Sequence, residues 1–398
     1  MSQTLRRLTI EGFKSIRKLE DFDLRAMNVL IGPNGAGKSN FVDFFSLLGN
    51  LAVGRLQVAV RQAGGADRLL YLGSKTTSRL GVEMHFDSGS AYEFALVPTA
   101  DGGLVFDGES LLPADEPASS AAKSVAPVSL GSGHTEAALV RLGEGDGLAV
   151  PGLNWKLPAA IYMALLDLLE YHFLDTSPTA TVRRIGQIND NEYLRSDASN
   201  LAAYLYRIRQ AYRSSYSRIR DVVKLAAPFF DDFKLRPIPG NEHMIQLEWL
   251  QKDSDYPFLA SQLSDGTLRF ICLATALSQP NTPSTLLFDE PELGLHPYAL
   301  SLLAGLFKQV AARPSGQIIV STQSAALLNE FDPEDVIVVE REQGESTFRR
   351  LKSEELSEWL KDYSLGELWQ KNVLGGRPKN EVAPVPAGSG SDPGAANP

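Results

Sequence analysis

The fold is decided by residues 27–43, which read Met-Asn-Val-Leu-Ile-Gly-Pro-Asn-Gly-Ala-Gly-Lys-Ser-Asn-Phe-Val-Asp. The first five have the length and the largely apolar character of a short buried strand. Gly32 to Ser39 then spell G-x-x-x-x-G-K-S, and apolar residues recur at helical spacing after Ser39. A phosphate-binding loop requires this order of a strand, a glycine-rich loop and a helix. An ordinary glycine turn does not require it.

The residue types in this loop explain its chemistry. Glycines allow consecutive backbone N–H groups to converge on phosphate oxygens, and the N-terminus of the next helix adds a positive dipole. Lys38 can reach the β- and γ-phosphates, and the hydroxyl of Ser39 can ligate Mg²⁺. We therefore predict a nucleotide site formed by Asn34, Gly35, Ala36, Gly37, Lys38, Ser39 and Asn40.

Composition indicates an ordinary globular chain of 398 residues with a net charge of −10, so any nucleic-acid contact must be a local basic patch. The single cysteine, Cys272, excludes an internal disulfide and fits a reducing compartment. No apolar run reaches the length of a membrane span, and the first residues lack the apolar core of a signal peptide. We expect a cytoplasmic protein without a membrane partner.

A second group of candidate residues lies at the end of an apolar strand, Leu286-Leu287-Phe288-Asp289-Glu290. A strand in this sheet would place Asp289 at the carboxyl edge beside the phosphate loop, where its carboxylate can hold Mg²⁺ directly or through water. Glu290 comes next and can orient or deprotonate an attacking water. A strand that merely ends in a solvated acidic turn is the alternative.

Another candidate anion site precedes these acids. Ser264-Asp265-Gly266 stands before a predicted helix and offers a hydroxyl, a glycine and free backbone N–H groups. One nucleotide held by one phosphate loop does not need a second such site. The site makes sense if Ser264 reaches the γ-phosphate bound to a second copy of the chain; otherwise Ser264 is a plain helix cap.

The motifs G-P-N-G-A-G-K-S, L-S-D-G-T and L-L-F-D-E-P-E-L-G-L-H-P, in that order, resemble the ABC-type ATPase heads of the RecF, SMC and OLD group. The opening strand followed by Gly12-Phe13-Lys14-Ser15 resembles that group as well, and the resemblance covers residues 4–340. It implies an α/β, P-loop NTPase fold of ABC-ATPase head type. That fold has a mixed sheet core, an antiparallel β lobe and a helical insertion.

The resemblance also implies roles for single residues. It implies ATP and Mg²⁺ as cofactors, Ser39 and Asp289 as metal ligands, and Lys14 as a nucleotide contact. The implied motifs are a Walker A pair at Lys38 and Ser39, a signature at Ser264, Asp265 and Gly266, Walker B at Asp289 and Glu290, and a D-loop at Glu292 to His296.

Two features depart from the group. After the strand Ile318-Ile319-Val320 the group often carries a histidine that contacts the γ-phosphate, whereas this chain has Gln323. An amide donates a hydrogen bond without charge, so we assign Gln323 a catalytic contact and expect slower turnover. Lys38 and Ser264 are separated by more chain than a transporter head needs and by far less than a long coiled coil takes.

The chain is basic between residues 207 and 224, with tyrosines interleaved. This stretch is a candidate DNA contact, since basic side chains reach phosphates and tyrosines stack or donate hydrogen bonds. The alternative is a solvated helix with half-buried tyrosines. Arg183-Arg184 is a weaker basic pair. The basic residues of the stretch are Arg207, Arg209, Arg213, Arg218, Arg220 and Lys224.

We divide the chain into an N-terminal ATPase lobe (1–150), a helical insertion (151–235), a C-terminal ATPase lobe (236–375) and a disordered tail (376–398). Between the lobes' motifs we expect a hairpin over 79–97, a long loop over 98–134, and a strand over 136–142. Further on we expect helices over 158–173 and 200–226, and a strand around 245–249.

Together these observations predict a Mg²⁺-dependent ATPase that forms an ATP-sandwiched homodimer. It would couple the nucleotide cycle to DNA binding or to a partner in DNA repair or anti-phage defence. A nuclease or similar effector supplied in trans is expected, because no nuclease domain follows residue 375 in this sequence. The alternatives are a slowly hydrolysing ATP-binding scaffold and, less favoured, the ATPase subunit of a transporter.

Overall fold

The computed structural model describes residues 3–114, 126–145, 154–173 and 175–376. The strands are β1 Leu5–Phe13, β2 Ile16–Asp23, β3 Met27–Ile31, β4 Leu80–Phe86, β5 Ala91–Pro98, β6 Leu104–Leu112, β7 Val128–Gly131, β8 Leu168–Tyr171, β9 Gly186–Gln187, β10 Phe230–Phe233, β11 Pro237–Ile238, β12 Asn241–Ile245, β13 Glu248–Gln251, β14 Pro257–Leu259, β15 Thr285–Asp289, β16 Gln317–Ser321, β17 Val336–Glu342 and β18 Glu345–Arg350. The helices are α1 Lys38–Ala52, α2 Leu56–Gln62, α3 Ala66–Leu69, α4 Ala138–Gly143, α5 Lys156–Leu166, α6 Leu201–Ala211, α7 Arg213–Ala226, α8 Asp265–Ser278, α9 Pro297–Ala311, α10 Ala325–Leu328, α11 Ser353–Leu356 and α12 Leu365–Gln370.

The central sheet has the strand order β18-β17-β3-β16-β15-β8. All its neighbours are parallel except β18, which is antiparallel to β17. Every residue of β3 and β16 is buried, as expected for parallel strands that are covered on both faces. The carboxyl ends of β3, β16, β15 and β8 therefore meet at one edge, where ligands bind in open α/β sheets.

A second sheet forms the antiparallel lobe, in the order β2-β1-β4-β5-β6-β7. Alternate residues of β4 are buried, so one face of this sheet packs inward. That face shares a hydrophobic core with α1, α5 and the α1 side of the central sheet. The lobe thereby supports the helix that begins at the phosphate loop.

The other side of the central sheet carries the remaining helices. The core there joins α6, α7, α8, α9 and the small sheet β10-β13-β14, which includes Trp249. A further small sheet has the order β11-β12-β9. Within the described ranges, no helix has the length and apolar character needed to cross a bilayer.

Several local expectations were wrong. The segment expected as a loop over 98–134 contains β6 and β7, and the expected strand at 136–142 is the helix α4. The reason lies outside the segments themselves: β6 pairs along its length with β5. The buried carboxylate of Glu109 on β6 accepts the backbone N–H groups of Ala138 and Leu139, which fixes the first turn of α4.

The helical expectations over 158–173 and 200–226 were also partly wrong. The first helix ends at Leu166, and residues 168–171 form β8 in the central sheet, so the segment expected as a helical insertion contributes a strand to the core. Tyr212 interrupts the second helix and separates α6 from α7. The expected strand at 245–249 is the end of β12 and the start of β13. The predicted disorder lies, apart from Gly376, outside the described residues.

Candidate functional site

Four loops converge at the carboxyl edge of the central sheet. The phosphate loop follows β3, Thr322 and Gln323 follow β16, Glu290 follows β15, and His172 follows β8. Three of these loops carry residues that the sequence predicts. The fourth, after β8, was missed together with its strand.

The phosphate loop leads directly into α1, which begins at Lys38. Gly37 lies at φ 111°, and a side chain there would overlap the hydroxyls of Ser15 and Ser346. The buried ammonium of Lys38 donates to the carbonyls of Gly32 at 2.9 Å and Pro33 at 3.2 Å. The pKa of Lys38 is lowered, because the effect of burial exceeds the opposing effect of the nearby acids, of which Glu290 has the largest.

The Ser39 hydroxyl donates to Oδ2 of Asp289 at 3.0 Å, although 250 residues separate the two in sequence. The other carboxylate oxygen of Asp289 accepts from the hydroxyl of Ser321, the last residue of β16. Hydroxyl and carboxylate oxygens are the ligands that Mg²⁺ prefers. No three His, Cys, Asp or Glu side chains converge as a metal site among the described residues. The residues fit a cation held by two protein oxygens, with phosphates and waters as its other ligands.

Glu290 and Gln323 are joined by a hydrogen bond from the Gln323 side-chain amide to Oε1 of Glu290. Glu290 adopts a left-handed backbone conformation with φ 47°, which is uncommon for a residue with a long side chain. Glu292 completes this group. Its Oε1 accepts from the Thr322 hydroxyl at 2.7 Å and from the Gln323 backbone N–H at 2.8 Å. Burial raises the pKa of Glu292.

A cleft of about 690 Å³ adjoins the phosphate loop, and Lys14, Ser15, Asn40 and Arg341 are among its lining residues. Lys14 pairs with Asp43 on α1 at 2.6 Å. The Ser15 hydroxyl accepts from the Asn40 amide at 2.6 Å and from the Ser346 hydroxyl at 2.7 Å. The loop that contains Lys14 is thus attached to the phosphate loop by side-chain hydrogen bonds.

The predicted signature lies at the start of α8. The Ser264 hydroxyl accepts from the Thr267 backbone N–H at 3.2 Å, so Ser264 does cap the helix. A side chain on Gly266 would overlap the carbonyl oxygen of Gly294 in the predicted D-loop. In that loop, Nδ1 of His296 accepts from the Tyr298 backbone N–H and caps α9.

Arg183 is a residue whose role sequence reasoning missed. Its side chain is 5% exposed and lies 2.7 Å from the carboxylate of Asp265. It also donates to the backbone carbonyls of Thr176, Ala260 and Leu263. Arg183 therefore fixes the loop before α8. Its neighbour Arg184 is exposed, and the Arg184 side chain donates only to the Thr179 carbonyl among the described residues.

With this geometry in view, comparison with known proteins gives a family. Residues 27–118 and 165–329 match the family described as "AAA domain, putative AbiEii toxin, Type IV TA system". The chain belongs to this family. No curated protein matches this AAA-domain chain.

Solved structures agree with the fold. An SMC head bound to the C-terminal winged-helix domain of ScpA has a TM-score of 0.57 and 16% identity, covering 89% of this chain and 99% of that one. An SMC head with an extended coiled coil, bound to the C-terminal domain of ScpA derived from Pyrococcus furiosus, has a TM-score of 0.53 and 14% identity over 90% and 99%. The predicted P-loop fold of ABC-ATPase head type is confirmed, and the matched family is one of AAA ATPase domains.

In this AAA domain, some basic residues between 207 and 224 form contacts within the protein, and others are exposed to solvent. Arg209 donates to the Leu235 carbonyl, Arg220 pairs with Asp221 at 2.9 Å, and Lys224 pairs with Asp231 at 2.8 Å. Arg213 and Arg218 are exposed and make no ion pair with a described carboxylate. The tyrosines are likewise divided, since Tyr216 is buried and Tyr212 is partly exposed.

Proposed function

We propose that this protein is a Mg²⁺-dependent ATP hydrolase. The observation that carries the proposal is the contact of Ser39 with Asp289 at 3.0 Å, directly beside Lys38. The contact brings together the two oxygen ligands that a magnesium nucleotide needs, at the N-terminus of α1. Backbone N–H groups and the helix dipole at that point favour phosphate.

Each side chain then has a defined task. Lys38 exchanges its carbonyl partners in the loop for phosphate oxygens. Its positive charge then stabilises the negative charge that develops during phosphoryl transfer. Glu290 accepts a proton from the attacking water, and Gln323 holds that carboxylate in place. Bound Mg²⁺ would neutralise phosphate charge beside Ser39 and Asp289. The nucleoside end of ATP would lie in the 690 Å³ cleft, beside Lys14 and Asn40.

We infer that two copies close around ATP. Ser264 and Asp265 are exposed at the start of α8, and the Ser264 side chain is oriented by its own helix cap. Leu293 and Tyr298, on either side of His296, are 43% and 53% exposed. These groups are available to a second copy, whose phosphate loop contacts ATP from one side only.

The nucleotide cycle would act on DNA or on an effector. The exposed Arg218 lies near Arg313, whose pKa it lowers in addition to the larger effect of burial, and the exposed Arg213 lies on the same helix as Arg218. Three cations without described carboxylate partners favour a phosphate backbone. A role in DNA repair or phage defence, with a nuclease in trans, is consistent with the family. A slowly hydrolysing scaffold is the second candidate, favoured by the uncharged Gln323.

The deciding experiment compares wild type with Lys38→Ala in nucleotide binding and phosphate release, with and without DNA. We expect the substitution to lower both by at least about 100-fold in a folded protein. Equal activity in the two proteins would refute the site. Measurable ATP binding with negligible phosphate release in wild type would favour the scaffold instead. For DNA, the double variant Arg213→Glu with Arg218→Glu should weaken binding and reduce its salt dependence, whereas Lys224→Ala should not.

A further inference from the structure

We propose that a cavity beside the edge strand β8 binds one unpaired base of single-stranded DNA. The cavity has a volume of about 120 Å³ and is lined by β8, α6, the segment before α6 and the turn after α8. None of its described lining residues comes from the phosphate loop or from the 690 Å³ cleft, so the cavity is separate from the ATP site. The inference rests on the DNA-binding part of the proposed function and names the form of DNA.

The cavity lies on the face of β8 that is turned away from α1. Side chains alternate between the two faces of a strand. Leu168 is buried in the core that contains α1, whereas Tyr171 is buried in the core that contains α6 and α8. Leu169 and Tyr171 line the cavity from β8, which is the outermost strand of the central sheet.

A buried hydroxyl at this cavity has a hydrogen left to donate. The Gln279 amide nitrogen donates to the Ala276 carbonyl at 2.8 Å and to the Tyr171 hydroxyl at 2.9 Å. The amide oxygen accepts from the Tyr204 hydroxyl at 2.9 Å. The Tyr171 hydroxyl donates to no residue within the described ranges, although Tyr171 is only 2% exposed and burial raises its pKa. An acceptor in the cavity, such as a base carbonyl or ring nitrogen, would satisfy this donor.

Two tyrosines connect the cavity with the surface. Tyr193 and Tyr212 both line it, and they are 65% and 37% exposed. Every base has a π-face, so exposed aromatic rings stack on bases without requiring a particular sequence. Glu192 also lines the cavity and is exposed, and its carboxylate can accept from the exocyclic amino group of a base.

Cations beside the tyrosines suit the phosphates that flank a bound base. Arg207 lines the cavity and donates to the Asn191 carbonyl at 3.4 Å, without an ion pair to any carboxylate in the described part of the chain. Its charge lowers the pKa of Tyr204 against the larger, opposite effect of burial, so the guanidinium is close to the polar groups of the cavity. Arg213 follows Tyr212 directly and is exposed.

These groups favour a single strand over a duplex. A base in a duplex is paired and stacked, and its extraction costs unpairing and unstacking energy, which is smallest in single-stranded DNA. Aromatic rings next to cations are the combination with which proteins bind single strands. We therefore expect this protein to bind a single strand more tightly than a blunt duplex of the same length.

The test measures fluorescence anisotropy of a labelled single strand of mixed sequence, and of the blunt duplex of that sequence, at several salt concentrations. Tyr212→Ala should weaken binding of the single strand by about 5- to 150-fold, which is the loss expected for one stacked base. The salt dependence should stay unchanged, because stacking neutralises no phosphate, whereas Arg213→Glu should reduce it. Tyr212→Phe keeps the ring and should bind as wild type does. Duplex binding should be equal in wild type and Tyr212→Ala.

The chain supplies a matched control. Tyr256 is 64% exposed and is not among the described lining residues of the cavity, so Tyr256→Ala should bind both DNAs as wild type does. The fold should tolerate Tyr212→Ala, because the bonds of Tyr212 to Ile208 and Tyr216 come from its backbone. Thermal unfolding checks this, and Tyr193→Ala is the second variant.

The outcomes separate this inference from the proposed function. Wild-type affinity of Tyr212→Ala and Tyr193→Ala for the single strand would overturn the base site, as would an equal loss of duplex binding or an equal loss in Tyr256→Ala. The proposed hydrolase would then still stand, because Lys38→Ala tests it without DNA. If wild type bound neither DNA, this inference and the DNA-binding role would fall together, while phosphate release that depends on Lys38 would still support the hydrolase.

Discussion

The side-chain amide of Gln323 donates to the carboxylate of Glu290, and the backbone N–H of Gln323 donates to Glu292 at 2.8 Å. Two glutamates of one loop are thus connected through a single residue at the end of the neighbouring strand β16. The position at which the resemblance implies a charged phosphate contact therefore orients Glu290, the proposed base, in this chain. Slow turnover would then depend on how well Glu290 is held.

Gln323→Ala should lower kcat by about 10-fold or more with little change in KM, because the contribution of a positioned base depends on its geometry. Gln323→Glu should have a larger effect, since a second carboxylate next to Glu290 repels it and favours its protonated form. The measurement is steady-state phosphate release as a function of pH. A kcat unchanged in Gln323→Ala would show that the hydrogen bond has no role in turnover.

The residues that sequence reasoning placed correctly lie in local patterns. The phosphate loop, the strand before Glu290 and the helix after Ser264 are each recognisable from contiguous residues, and the structure has them at Met27–Ile31, Thr285–Asp289 and Asp265–Ser278. The sequence also predicts where these segments meet, because the carboxyl ends of parallel strands lie at one edge of the sheet. Ser39 and Asp289 could therefore be paired before their distance was known.

The residues that were missed depend on partners distant in sequence. The apolar residues before Phe173 fit a helix, yet residues 168–171 complete the hydrogen bonding of β15, which no local pattern reveals. The error concealed His172 at the carboxyl edge of the central sheet. Arg183 likewise reads as a surface cation in sequence, whereas its partners include the carbonyls of Ala260 and Leu263, about 80 residues away.

Arg183→Ala should separate nucleotide binding from dimer closure. The variant loses charged hydrogen bonds to the loop before α8, each worth roughly 1.5–3 kcal/mol, so the free energy of unfolding should fall by about 2 kcal/mol or more. ATP binding at Lys38 should persist, while ATP-dependent association weakens. Arg184→Ala is the control and should change neither quantity. Thermal unfolding and light scattering with Mg²⁺-ATP provide the measurements, and equal behaviour of the two variants would contradict the role of Arg183.

Two glycines in long helices should respond oppositely to alanine. Gly266 lies against the carbonyl of Gly294, so Gly266→Ala must displace the predicted D-loop or the start of α8. Overpacking of this kind costs about 1–3 kcal/mol. Gly305, inside α9, has open space around its Cβ position, so Gly305→Ala should stabilise the fold by up to about 1 kcal/mol. Denaturant titration of both variants is the measurement, and a stable Gly266→Ala would show that the close contact is dispensable.

Closure of two copies around ATP can be tested with one variant on each side of the shared site. Ser264 caps α8 through the Thr267 backbone N–H and is exposed to solvent, while Lys38 and Ser39 would contact ATP from one side only. If the signature of one copy completes the site of the other, ATP shifts monomer toward dimer by its higher affinity for the closed state. Glu290→Gln should retain nucleotide and slow water attack, so it should accumulate as a dimer when Mg²⁺-ATP is added. Ser264→Arg should bind nucleotide as a monomer, because the added bulk and charge block closure without touching Lys38. Light scattering of both variants with and without Mg²⁺-ATP measures this difference. The dimer is refuted if Glu290→Gln gains no mass with ATP, or if Ser264→Arg associates as well as wild type.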